Sequence, residues 1–192
     1  MNRVEVGNIA EDWRELTNDL TPSDISYLEA LKSAKRQREG ASWRALLRRT
    51  LAKEEVKKEI AYDSMRAPYL VGSKLYIGAS HSSNKVAIVI SDRGRCGVDI
   101  ENLNRDFERV ESRYTTQKEI ALFEGFTPDY ARALIWSSKE ALYKAAGFEG
   151  VDMVGEVRIT SYCDGVIKGE IRGVRFSLSH FEIEGEVVVF TL

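Results

Sequence analysis

The order of its elements constrains this chain most: helical periodicity gives way to short strands, and then the same progression occurs again. Thr21-Pro22-Ser23-Asp24 opens the first helical block with a capping hydroxyl, a proline at the first helical position and an acid in the first turn. Ile25, Leu28 and Leu31 form its apolar stripe, and a second helix is expected after Gly40 through Trp43, Leu46, Leu47 and Leu51. Strands follow over residues 60–62, 69–71, 75–77 and 86–90, with Gly72-Ser73 as a hairpin turn and the nearly all-apolar last strand at the centre. Phe107, Val110 and Tyr114 then suggest a short helix, and Thr116-x-x-Glu119 opens another. The longest helix runs from Thr127, with proline at the first position, to Gly147, and four strands follow over 156–160, 166–171, 175–178 and 186–192. A short echo accompanies the repeat: Ser80-His81 before Val86-Ala87-Ile88-Val89 is mirrored by Ser179-His180 before Val187-Val188-Val189. The pattern predicts an α+β protein of two similar lobes, residues 1–98 and 99–192, each with helices packed on an antiparallel sheet and a site in the cleft between them. Residues 1–20 are the least legible; Val4, Val6 and Ile9 suggest a short strand, and Trp13 and Leu16 a buried turn of helix.

Two stretches carry chemistry. In Cys96-Gly97-Val98-Asp99-Ile100-Glu101 the period of two turns Val98 and Ile100 to one side and both carboxylates to the other. Neighbouring carboxylates repel, so a cation is expected to offset them, and a hard divalent ion such as Mg²⁺ suits oxygen donors. Alone, the run also reads as a strand end with one solvated face. In the long helix Trp136, Glu140 and Lys144 recur every four residues and share a face. Alone, Glu140 with Lys144 is an ordinary surface ion pair.

Together the stretches are more specific. Gly97-Val98-Asp99-Ile100-Glu101 followed by Trp136-Ser137-x-Lys139-Glu140-Ala141-x-x-Lys144 resembles the signature pair of the 4′-phosphopantetheinyl transferases, in the longer type that activates surfactin synthetase and related megasynthases. Ala79-Ser80-His81-Ser82 is similar to that family's Ser-His-Ser segment, and Trp43-Arg44-Ala45-Leu46-Leu47 to its Arg-x-Leu-Leu segment, so the resemblance spans residues 43 to 147. It implies a pseudo-symmetric monomer of the holo-acyl-carrier-protein synthase type, with Mg²⁺ as cofactor and coenzyme A as co-substrate. The pantetheine arm would pass to a serine of an apo acyl or peptidyl carrier protein, and 3′,5′-ADP would leave. Asp99, Glu101 and Glu140 are the implied metal ligands and Glu140 and Lys144 the catalytic pair. Arg44, Ser80, His81 and Lys144 are implied to contact coenzyme A, and the cation-rich first helices add Lys32 and Lys35, although such a charge run also suits a solvated face. One departure stands out: where many members carry Gly-Lys-Pro, this chain has Arg66-Ala67-Pro68.

Composition narrows the alternatives. A net charge of -2 gives no overall reason to expect nucleic acid or membrane as partner. The charged start Met1-Asn2-Arg3-Val4-Glu5 lacks the apolar core of a signal peptide, and a cytoplasmic protein is expected. Cys96 and Cys163 have no metal-type or redox-type spacing and are expected as reduced thiols, Cys96 in the core. Arg105, Arg109 and Arg113 recur at four-residue spacing and are read either as a docking stripe for an acidic carrier or as a plain exposed face. Two rival functions share the acid set: a metal-dependent phosphodiesterase or nuclease, and a coenzyme A-binding protein without turnover.

Overall fold

The computed structural model describes residues 2–192. The first lobe begins with β1 (Arg3–Asn8) and a 3₁₀ helix over Trp13–Asp19. Next come α1 (Pro22–Glu29) and α2 (Ala34–Thr50), and then β2 (Ile60–Tyr62), β3 (Pro68–Leu70), β4 (Tyr76–His81) and β5 (Lys85–Ser91). The second lobe opens with β6 (Val98–Asn102) and a 3₁₀ helix over Glu108–Arg113. It continues through α3 (Gln117–Ala121) and α4 (Pro128–Ala146) into β7 (Val157–Cys163), β8 (Val166–Ile171), β9 (Val174–Ile183) and β10 (Glu186–Thr191).

Two five-stranded antiparallel sheets result, ordered β1-β5-β4-β3-β2 and β6-β10-β9-β8-β7. The orders are the same once the second lobe's strands are renumbered: the first strand pairs with the last, and the other three follow as a meander. The expected two similar α+β lobes are therefore present.

Local chemistry explains most element boundaries. Thr21 and Thr116 each form a reciprocal capping box, with Asp24 and Glu119 respectively. Pro128 starts α4, and Gly147, at φ 65°, ends it in the left-handed conformation that glycine tolerates. Thr127 makes no side-chain capping bond. The expectation that the second helix follows Gly40 is corrected: α2 begins at Ala34, capped by the Ser33 hydroxyl, and runs through Gly40. Glycine is accommodated mid-helix because α1 crosses there, and a Cβ would stand 3.0 Å from Leu28 Cδ2.

Each lobe has its own core. Trp43, Leu47, Val86 and Ile88 centre the first, under α2, and Leu134, Leu142, Val187 and Val189 the second, under α4. A third apolar layer joins the lobes, with Ala87 and Val89 of β5 meeting Val98 and Ile100 of β6 and Val188 of β10. Lys85 closes one end of this seam, its Nζ donating to Asn8 Oδ1 at 2.8 Å and to Glu184 Oε2 of the other lobe at 2.7 Å. Among the described residues no helix is long and apolar enough to cross a membrane. Cys96 is buried, its thiol pushed up to about 12 by burial, and Cys163 is exposed; both are free.

Candidate active site

β6 faces two ways. Val98 and Ile100 enter the seam between lobes, so alternation sends Asp99 and Glu101 to the opposite side, where their partners on β10 are Val189 and Val187. That side lies under α4, which packs across β6 and β10 and supplies Trp136, Glu140 and Lys144 from successive turns. The close approach depends on Gly97, since a Cβ there would run into the carbonyl oxygen of Ala141.

Asp99 is the most enclosed of these three acids, at 4% exposure. Its Oδ1 accepts from Lys144 Nζ at 2.6 Å and from Ser80 Oγ at 2.8 Å, while its buried Oδ2 has no hydrogen-bond partner. Lys144 Nζ also donates to Ser80 Oγ at 3.0 Å and to the Val98 carbonyl at 3.2 Å, which ties α4 to β4 and β6. Glu101 Oε1 accepts from Arg105 Nη1 at 2.5 Å and from Trp136 Nε1 at 2.8 Å. Burial and then the charge of Asp99 push the Glu101 and Glu140 carboxyls above the usual range. Arg105 and Trp136 oppose the shift at Glu101, and Lys144 opposes it at Glu140. Negative charge is thus concentrated between β6 and α4 with incomplete compensation.

Three carboxylates with one orphaned, buried oxygen form the kind of donor set that a hard divalent cation takes, and in composition the residues fit Mg²⁺. Their oxygens are not drawn together: among the described residues no three His, Cys, Asp or Glu side chains stand at metal-ligand spacing. The ammonium of Lys144 is the positive charge paired with Asp99.

The cluster opens on both sides. A cleft of about 250 Å³ between the lobes is lined by Ala67 before β3, Pro68 at its start, Ala79 of β4, and Glu140, Tyr143 and Lys144 of α4. Arg66 lines it too, in the left-handed conformation at φ 60°, at a turn whose Asp63 Oδ1 accepts from the amides of Met65 and Ala67. A wider recess of about 570 Å³ holds Lys35, His81, Glu101 and Arg105.

The remaining candidates divide. Ser80 bonds Asp99, and His81, at the end of β4, places Nδ1 3.6 Å from Glu39 Oε1. Lys35 Nζ stands 3.7 Å from that same Glu39, a buried acid of α2. Lys32 is exposed between α1 and α2 and lines neither opening. Arg44, only 2% exposed, is enclosed: its guanidinium donates to the Gly40 carbonyl at 3.1 Å and to Tyr62 Oη at 2.5 Å, and stacks 4.1 Å from the Tyr27 ring centroid. Lys139, the residue before Glu140, is fully buried on Glu119 at 2.8 Å and supports the fold. The arginine stripe does not form as an α-helical face, because residues 108–113 are 3₁₀, with three residues per turn, and Arg105 precedes them. Sequence reasoning missed Glu39 and the hold of Arg105 on Glu101. The four-residue step from Glu101 to Arg105 was the available signal, obscured because it crosses a strand end.

Fold and site together describe a two-lobed α+β protein with an acidic centre and one lysine at the lobe boundary. Residues 95–181 match the family model of the 4′-phosphopantetheinyl transferase superfamily. Two relatives, each called 4′-phosphopantetheinyl transferase AcpT, come from Salmonella typhimurium (strain LT2) and Salmonella typhi; each is 33% identical over 116 residues, covering 56% of this chain and 59% of the relative. Over this part of its length the chain is similar to the 4′-phosphopantetheinyl transferase superfamily, and the match spans 59% of those relatives' length.

Proposed function

We propose that the protein transfers the 4′-phosphopantetheine arm of coenzyme A to a serine hydroxyl of an apo acyl or peptidyl carrier protein and releases 3′,5′-ADP, as a Mg²⁺-dependent cytoplasmic monomer. The observation that carries the reading is the convergence of Asp99, Glu101, Glu140 and Lys144 within the segment that matches the family.

The serine oxygen forms a bond to the phosphorus next to pantetheine, and the bond from that phosphorus to the bridging oxygen of 3′,5′-ADP breaks. Such a transfer needs reactants held in line, negative charge offset and one proton removed. Asp99, Glu101 and Glu140 would hold Mg²⁺, which when bound supplies positive charge against the pyrophosphate oxygens. Glu140 lines the cleft and takes the serine proton as general base. Lys144, in the same lining, sets a positive charge against the departing phosphate. Ser80 holds Asp99 and adjoins His81, which with Lys35 offers cationic and hydrogen-bonding groups to coenzyme A phosphates from the wider recess. Lys32 adds exposed charge nearby in sequence, and Arg44 supports that side from beneath, against Tyr27 and Tyr62.

The test is release of 3′,5′-ADP from coenzyme A and Mg²⁺ with and without apo carrier protein. Release is expected only with carrier, and Asp99→Ala is expected to lower it by about 10²–10³-fold, the loss typical of one preorganised electrostatic group. Equal release without carrier would instead make the protein a phosphodiesterase.

A further inference from the structure

Glu101 is held by one oxygen only. Arg105 Nη1 and Trp136 Nε1 both donate to Oε1, at 2.5 and 2.8 Å, and no hydrogen bond is made to Oε2 among the described residues. The two donors are themselves fixed. The Arg105 guanidinium lies 5.0 Å from the Trp136 ring centroid and 5.1 Å from that of Phe107. Tyr114 meets Trp136 edge-on at 5.0 Å, and Phe107 and Tyr114 are both buried. Trp136 comes from α4, one turn before Glu140, whereas Arg105 follows β6, so the pair links both acid-bearing elements.

We propose that Arg105 and Trp136 are positioning residues that lock Glu101 through Oε1 and leave Oε2 to serve as a cation ligand. The inference rests on the metal assignment of the proposed function. Groups that orient a ligating carboxylate contribute to metal affinity although they never touch the ion. Arg105 is 43% exposed, and an exposed ion pair contributes little by itself, but the guanidinium also lies over the buried Phe107 ring and the half-buried Trp136 ring and shares its acceptor with an indole N–H.

The test is Mn²⁺ binding to the full chain by electron paramagnetic resonance, with coenzyme A present. Trp136→Phe keeps a ring and removes the N–H; Arg105→Gln removes the charge; Arg105→Lys keeps the charge but loses the planar fork. All three are expected to weaken Mn²⁺ binding by about 10–100-fold, with coenzyme A affinity measured without metal unchanged and thermal melting close to wild type. If Arg105 served coenzyme A through its charge alone, Arg105→Lys and Trp136→Phe would bind Mn²⁺ like wild type, which overturns the proposal. Glu101→Ala separates the two levels of the argument. Weakened binding there with unchanged binding in the other variants rejects the positioning role alone. Wild-type binding in Glu101→Ala, or none in wild type, rejects the metal assignment and the proposal with it.

Discussion

Asp99 and Glu140 meet the cost of burial differently. Asp99 is held by an ammonium and a hydroxyl, whereas Glu140 is half-buried near other acids, with Lys144 its main counterweight. A carboxyl whose folded pKa is raised binds its proton more tightly folded than unfolded. Its contribution is therefore most favourable below the usual glutamate value and is lost as pH rises through the raised pKa. Glu140→Gln removes this penalty and preserves shape. Without divalent ions it should melt higher than wild type at about pH 8, with the gap closing toward about pH 4. Thermal melts across that range check it, and a gap that is constant or opens at low pH would contradict the charge argument. The acids themselves were legible from alternation, because a period of two is local. The enclosure of Arg44 was not: a run of cations shows charge, whereas its burial depends on Tyr27 and Tyr62 arriving from other elements.

α4 was the most legible element, since proline and glycine marked both ends and its apolar positions kept one period. α2 was read too short because glycine usually interrupts a helix, and only the packing of Leu28 explains its presence there. The contact of α4 with β6 rests on Gly97. Gly97→Ala should destabilise the fold by about 1–3 kcal/mol or more through overpacking, and should lower transfer further by moving Glu140 away from Asp99. Gly94→Ala is the control, since open space surrounds that position. Urea denaturation measures both, and equal stability would show that the helix can shift without penalty.

Across the whole molecule, one lobe plan is used twice, but the site is built once. The sequence echo of Ser-His falls on topologically equivalent strands, β4 and β9, with different outcomes. His81 ends its strand beside the recess, whereas His180 lies further from its strand end, among Phe126, Tyr130 and Tyr162, and burial lowers its proton affinity. The repeated order of elements was readable along the chain. The seam that joins the lobes was not, because Ala87, Val89 and Val188 resemble any other strand residues until the sheets meet. That seam brings β4 of the first lobe against β6 of the second, so Ser80 can reach Asp99.

The central claim is transfer at this boundary, and mass spectrometry of a panel of apo carrier proteins tests it most directly. Each carrier is incubated with coenzyme A, Mg²⁺ and either wild type or Glu140→Gln. The account predicts that at least one carrier gains a phosphopantetheine arm on its serine with wild type and remains apo with the variant. Full modification by Glu140→Gln, or no modification of any carrier by a wild type that binds coenzyme A, would contradict it.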